Sequence, residues 1–320
     1  KHRFDAFSQQ KFAKIPGSPI AYWIGDLIVE SFLKFPALEE TGETLQGMTT
    51  CDNDFYIRQW YEVEKTRIQA GISSREEAKA CGKKWFPYTK GGSYRKWAGN
   101  CDHVVNWEND GELLQSRRHP REDRVWAHNF NLEYIFREGG SYSSLSSGSL
   151  ALRYTSPGSL FDQKGSMVFA NATCLRGLLA LMNSRLAMCW LEALCPTLDF
   201  NPGALLKLPV NSGILLNASI RINVDTAVAI ATADWDAYER SWDFQSLHLV
   251  SPSTEPNPTL ESSYTAWIAN NKQTIAEMKR LEEENNRLFI NAYGLQDELS
   301  PEVPIEQITL TVNPAYRYGG

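Results

Sequence analysis

The chain has 320 residues, 42% of them hydrophobic and 12% aromatic, with a formal net charge of −6. That apolar content supports a packed interior and argues against disorder over most of the length, while the length exceeds what one core usually holds, so two domains or one domain with an appendage are expected. An acidic chain does not coat nucleic acid with its whole surface, although a local basic face stays open to it, because the field at a groove follows the nearby charges.

Pro16-Gly17 and Pro19 mark a turn, after which residues 20–35 carry Trp23, Ile24, Leu27, Ile28 and Phe32 at helical spacing. Residues 41–63 read as a Gly/Thr/Asp/Asn-rich loop entering a strand. Ser74 followed by Glu76 and Glu77 resembles an N-terminal cap and predicts a helix over about 73–82. Strand-like segments recur at 103–107, 134–136, 151–155 and 167–170, separated by Gly- and Ser-rich loops at 141–149 and 156–166. An apolar stripe predicts one core helix over 175–194, in which Asn183-Ser184-Arg185 serves as a cap or as a phosphate contact, and residues 195–210 read as loop, short helix and strand. Beyond 210 the reading is helical over 219–250, a proline-bearing loop at 251–259, the longest helix from 260 to about 293 with a charged, solvated face, and a strand at 309–312.

The stretch KKWFPYTKGGSYRKWAGN (83–100) gathers Lys83, Lys84, Lys90, Arg95 and Lys96 without an acid, threaded with Trp85, Phe86, Tyr88, Tyr94 and Trp97, and Gly91-Gly92 marks a turn in it. One reading is a nucleic-acid surface, since Lys and Arg release counterions from phosphates while rings contact bases or sugars. The other is a hairpin whose rings pack inward and whose lysines face water. On the first reading Arg95 is the candidate for a base edge, because a bidentate fork on guanine is the commonest specific contact. The glycine pair would let backbone approach a phosphate. A second cluster, RRHPREDR (117–124), adds Arg117, Arg118, Arg121 and Arg124, partly offset by Glu122 and Asp123. It strengthens the first only if the fold joins the two.

The six cysteines (Cys51, Cys81, Cys101, Cys174, Cys189, Cys195) are scattered without a CxxC pair, and the five histidines do not cluster with them. Free thiols in a reducing cytoplasm are expected rather than zinc or disulfides. No apolar run reaches the roughly 20 residues of a membrane helix. There is no Walker loop, HExxH, GxSxG elbow or glycine loop for S-adenosylmethionine. NPAY (313–316) resembles the NPPY motif of amino methyltransferases, with Ala315 where the second Pro belongs. No catalytic or metal-binding residue is assigned. The opening without Met, directly in patterned residues, is expected of a piece of a longer protein.

The ordered series FAKIPGSPIAYW (12–23), LQGMTTCDNDFYIRQWYEV (45–63), KWFPYTKGGSYRKWAGN (84–100), VVNWENDG (104–111), LRYTSPGSLFDQKGS (152–166), LALMNSRLA (179–187) and PTLDFNPGALLKLPV (196–210) resembles the C-terminal half of the PglX family. These are adenine-specific DNA methyltransferases of BREX phage-defence systems, related to type IIG restriction–modification enzymes. RLEEENNRLFINAYGLQDEL and the ending NPAYRYG are similar too, so the resemblance covers essentially the whole chain. It implies an α+β fold: a connector from the catalytic domain (1–40), a mixed-sheet target recognition domain with packed helices (41–210) and a mainly helical C-terminal domain (211–320). S-adenosylmethionine would be bound upstream, outside this chain. Where the family pattern suggests a TGDN turn, this sequence has Thr50-Cys51-Asp52-Asn53.

The resemblance implies double-stranded DNA as partner, with Lys84, Lys90 and Lys96 gripping phosphates and Arg95, with Thr49 and Asn53, reading base edges; Tyr88 and Tyr94 belong to the same surface. The Ser-rich loop with Ser143 and Ser144, together with Arg153, is a second candidate reading element or an ordinary turn, and Lys164 has the same status. The upstream methyltransferase domain of the same protein is the second implied partner. A competing function of another class is a protein-interaction module, in which the tail docks other BREX components and the basic face takes an acidic phage DNA-mimic protein. A third is an autonomous enzyme using NPAY.

Overall fold

Among the described residues eight short strands set the frame: β1 (Gly42–Leu45), β2 (Ile57–Gln59), β3 (Trp85–Thr89), β4 (His103–Asn106), β5 (Gly139–Tyr142), β6 (Leu152–Thr155), β7 (Leu160–Phe161) and β8 (Met167–Ala170). The computed structural model describes residues 12–146, 148–197, 199–250 and 259–319. One sheet has the order β1-β8-β5-β6 and the other β2-β4-β3-β7. The first is antiparallel throughout, with Glu43 opposite Phe169 and Ser141 opposite both Arg153 and Met167. The second is mixed, because β7 runs parallel to β3 with Leu160 beside Tyr88.

The main helices are α1 (Asp26–Lys34), α2 (Arg75–Ala80), α3 (Glu108–Ser116), α4 (Ala172–Met182), α5 (Arg185–Leu194), α6 (Ala218–Asp236), α7 (Leu260–Tyr293) and α8 (Pro314–Tyr318). Short polar side chains start most of them by accepting the orphan amides of the first turn. Ser74 accepts from Glu77 N, Asn171 from Cys174 N, Ser184 from Ala187 N and Asn217 from Ile220 N. Thr259 and Ser262 cap α7 reciprocally, and left-handed Gly294 ends it. The fold is α+β, and the described residues after 210 form helices, turns and irregular chain but no strand.

Apolar side chains collect in two clusters. The larger joins the first sheet (Tyr142, Leu152, Val168), α4 and α5 to the tail helices through Ile220, Val224, Met278, Leu281 and Phe289. The smaller lies at the second sheet, around Phe86, Tyr88, Val105, Phe136 and Phe161. Because Leu215, Ile220 and Val224 share a core with Leu175 and Leu178, packing is continuous across residue 210. Gly177 permits that closeness: a Cβ there would lie 2.4 Å from the Leu215 carbonyl oxygen.

Several local expectations change. The helix expected over 175–194 is two helices, because Ser184 caps a new one and Asn183 turns its amide to Leu152, accepting from its N–H (2.8 Å) and donating to its carbonyl (3.0 Å). No strand forms at 134–136, where a 3-10 turn spans Leu132–Tyr134 and Phe136 takes a left-handed φ of 68°. The helix expected over 219–250 stops at Asp236, and 309–312 is irregular chain whose threonines serve as side-chain partners. Residues 1–11 of the expected connector and 251–258 of the expected loop lie outside the described residues.

Cys51 sits where the family pattern suggested glycine, and its φ is 57°. A side chain in that region costs about 1–2 kcal/mol, of which glycine's larger unfolded-state entropy returns roughly half. Cys51→Gly is therefore expected to raise stability by up to about 1 kcal/mol in urea unfolding. A lower midpoint would show that thiol contacts, not backbone freedom, hold this turn.

Candidate nucleic-acid interface

The basic–aromatic stretch divides at its glycines. Gly91 and Gly92 have φ of 84° and 138°, and a Cβ on Gly92 would meet the Asn100 amide nitrogen at 2.7 Å. Past this turn the chain enters the interior. Arg95 is 4% exposed and Lys96 3%. The Arg95 guanidinium pairs with Asp234 at 2.7 Å, donates to Thr311 Oγ1 (3.0 Å) and Ala98 O (2.9 Å), and lies over the Trp235 ring. Asp234 also accepts from the amides of Thr311 and Val312. Lys96 pairs with Glu282 of α7, whose other oxygen accepts from Trp97 Nε1 at 2.9 Å. Burial pulls the Lys96 ammonium down in pKa, but Glu282 and Tyr94 outweigh it and hold it above the ordinary value.

These positions correct the expected roles of several residues. Arg95 cannot reach a base edge in this fold, nor Lys96 a phosphate, because both heads are spent on buried carboxylates. Arg153 is buried, donates to Arg95 O at 3.3 Å, and desolvation lowers its pKa to about 10. The Tyr88 hydroxyl is interior and donates to Asp162 Oδ2 at 2.8 Å. Ser144 is buried with its hydroxyl unpartnered. Tyr94 is half-buried, and its carbonyl accepts from Tyr316 OH at 2.5 Å. Lys84 lies over Trp85 at the far end of β3, a strand roughly 15 Å long, away from Lys90.

The remaining candidates come together. Ser143 Oγ donates to Gly92 O (2.9 Å), and Ser144 N to Lys164 O (3.0 Å). Thr49 Oγ1 donates to Gln163 Oε1 (2.9 Å), and Gln163 N to Met48 O (3.1 Å). Thr49 also exchanges both backbone bonds with His128, at 2.8 and 2.9 Å, which ties in the arginine hairpin closed by the Arg118–Val125 bridge. Four loops and one hairpin thus form a continuous ridge. Lys164, Asn53, Arg118, Arg121, Arg124 and His128 are exposed on it, with Lys90, Thr49 and Ser143 half-exposed. Some of its charge is internally compensated: Arg124 pairs with Glu122 (2.5 Å), Arg118 with Asp123 (3.5 Å) and Arg117 with Asp52 (3.0 Å). Arg121, Lys90 and Lys164 carry no ion pair among the described residues.

Gln163 and His128 were not singled out from sequence. His128 follows the flagged arginine run, but only its pairing with Thr49 makes it part of the site. A cavity of ≈ 630 Å³ lies between the second sheet and α6, with Thr89, His103, Trp60, Trp235 and Asp236 among its walls. Burial lowers the His103 pKa, and Lys90 adds to that while Asp102 opposes it. Gln59 Nε2 lies 3.1 Å from His103 Nε2, a contact that suits a neutral ring.

Asn313 of NPAY is interior; its amide donates to Ile305 O and Ile308 O (2.8 Å each), and its oxygen accepts from Ala315 N. The side chain is spent on starting α8, so it does not fit a motif that must accept a target amine. Among the described residues no cluster of His, Cys, Asp or Glu could hold a metal, and no helix is long and apolar enough to cross a membrane.

Over 299 residues, 92% of this chain, the sequence is 39% identical to the adenine-specific methyltransferase PglX of Lacticaseibacillus casei (strain Zhang). Over 316 residues, 97% of the chain, it is 34% identical to the adenine-specific methyltransferase BrxX of Escherichia coli O9:H4 (strain HS). The chain spans about a quarter (24%) of the length of each. No family model matches it.

Removing one partner of a buried pair leaves a bare charge, so Asp234→Ala should cost about 3–5 kcal/mol in urea unfolding. The joint change Arg95→Met with Asp234→Leu should recover only part of that, because it removes the bare charge but leaves the Thr311 and Val312 amides without their acceptor. A cost for Asp234→Ala below about 1 kcal/mol, the range of exposed pairs, would contradict the buried clasp. For His103 the folded pKa lies below the ordinary 6.5, so the unfolded chain binds the extra proton first. Stability should fall as pH drops through that value, and His103→Gln should flatten the decline between neutral and mildly acidic pH.

Proposed function

Because the chain belongs with PglX-type adenine-specific methyltransferases over nearly its whole length, we propose that it is the DNA-gripping part of such an enzyme, serving in phage defence. The observation that carries this reading is the ridge: loops from distant parts of the sequence converge through backbone bonds to present hydrogen-bonding and cationic side chains outward. Arg121, Lys164 and Lys90 hold phosphates and set the register of the duplex. Thr49, Asn53, Ser143 and Gln163, short polar groups between those cations, face base edges, where hydroxyls and amides read the major-groove pattern.

Gripping the flanking base pairs serves the chemistry, because an adenine amine inside a duplex cannot reach a methyl donor until the base leaves the stack. S-adenosylmethionine would supply the methyl group elsewhere in the longer polypeptide, and no step is assigned to this chain's residues. The test is duplex DNA binding at several salt concentrations. Arg121→Ala and Lys164→Ala should each weaken binding and reduce the slope of log affinity against log salt by about one for each phosphate no longer neutralised, leaving the melting temperature unchanged. Absent duplex binding, or binding indifferent to both substitutions, would overturn the proposal.

A further inference from the structure

The cavity between the second sheet and α6 holds an acid without a counter-ion. Asp236 lines it at the last position of α6, a helix whose final turn carries no basic residue. The negative end of the helix dipole therefore adds to the carboxylate instead of opposing it. Oδ1 accepts from Ser241 Oγ at 2.5 Å, and Ser241 Oγ accepts from Asp243 N at 3.1 Å. Among the described residues Oδ2 has no hydrogen-bond partner and the carboxylate no ion pair. Burial raises the Asp236 pKa, Ser241 opposes that, and exposed Asp243 adds to it. The arginines nearby are spent: Arg240 forks Asp102 at 2.7 and 2.5 Å, and Arg95 is clasped to Asp234. Lys65 also lines the cavity but is exposed, so solvent screens it. The remaining titratable lining groups near Asp236 are neutral, because burial pushes the Cys101 thiol up to about 11 and lowers the His103 ring. A half-buried acid left uncompensated in a cleft is a mark of a ligand site.

We propose that this cavity binds a small organic amine, a protonated nitrogen carried on a flat apolar body. Its ≈ 630 Å³ falls within the ~300–1,000 Å³ of small-molecule pockets. The nitrogen supplies the charge that Asp236 lacks and donates to Oδ2. The body lies among Trp60, Trp242, Ile68, Pro87 and Val228, which give the walls their apolar and aromatic character. Trp235 is already covered, with Arg95 and Arg240 over its ring at 5.0 and 4.4 Å, whereas Trp60 and Trp242 are half-buried. A cation held by the carboxylate beside an indole gains from both. An anion such as phosphate would meet Asp236 and Asp243 without a buried cation to hold it. The site thus selects the opposite charge from the ridge, and the inference goes beyond the DNA reading and stands without it.

The test is isothermal titration calorimetry of the 320-residue chain with tryptamine, neutral tryptophol and anionic indole-3-propionate, which share one ring system. Tryptamine should bind about tenfold tighter than tryptophol, the worth of one charge-assisted hydrogen bond, and indole-3-propionate weakest. Asp236→Asn keeps an oxygen for Ser241 and should abolish the tryptamine advantage, while Trp242→Ala should weaken tryptamine and tryptophol alike. Glu239→Gln removes an exposed acid of the same segment that does not line the cavity, and should change nothing. Equal affinity for the three compounds would overturn the proposal, as would absent binding of all three. An equal loss in Glu239→Gln and Asp236→Asn would reveal diffuse attraction to an acidic surface and overturn it too. The comparison of compounds needs no variant, so it decides the matter even if Asp236→Asn fails to fold.

Discussion

The structure depends on two cations taken out of water and set against two carboxylates. Arg95 meets Asp234 on α6, and Lys96 meets Glu282 on α7. Burying such charges is expensive, and their attraction offsets the cost only where the other lone pairs and protons are also satisfied. Here they are: Asp234 accepts two backbone amides besides Arg95, Glu282 accepts the Trp97 indole, and Thr309 Oγ1 accepts the Lys96 amide. The gain lies less in raw stability than in register. A carboxylate in an apolar seam tolerates one partner position, so α6, α7 and the 309–316 segment are fixed relative to the sheet region by chemistry that a slipped packing could not satisfy.

This explains why an acidic chain concentrates positive charge in one short stretch. The stretch serves two places at once. Its first part, through β3 to Lys90, reaches the outer ridge, and its last part neutralises acids in the interior, with the Gly91-Gly92 turn as the divide. A pattern of Lys, Arg and rings suits a phosphate surface and a buried ionic clasp equally well, because both need cations held beside flat apolar groups.

Sequence made the periodic features legible. The Ser74 cap, the long helix at 260–293 and strands near 103–107, 151–155 and 167–170 follow from capping chemistry and short-range alternation, which act within a few residues. Asn183-Ser184-Arg185 was legible as a cap or a phosphate contact but not as a break, because the apolar stripe runs through it and the deciding partner, Leu152, is distant in sequence. The burial of Arg95 and Arg153 was hidden for the same reason: their partners lie at 234, 311 and 95. The ridge was half legible. Thr49, Lys90, Ser143 and Lys164 could be named, whereas Gln163 and His128 gain meaning only through pairing across the fold.

The most direct test of the central claim is amine-reactive labelling of the native chain, read lysine by lysine by mass spectrometry. If Lys96 is clasped to Glu282, it stays unmodified while exposed Lys164 and half-exposed Lys90 react, and adding duplex DNA changes the labelling of the latter two only. Modification of Lys96 at the rate of Lys164 in the folded, DNA-free chain would contradict the account.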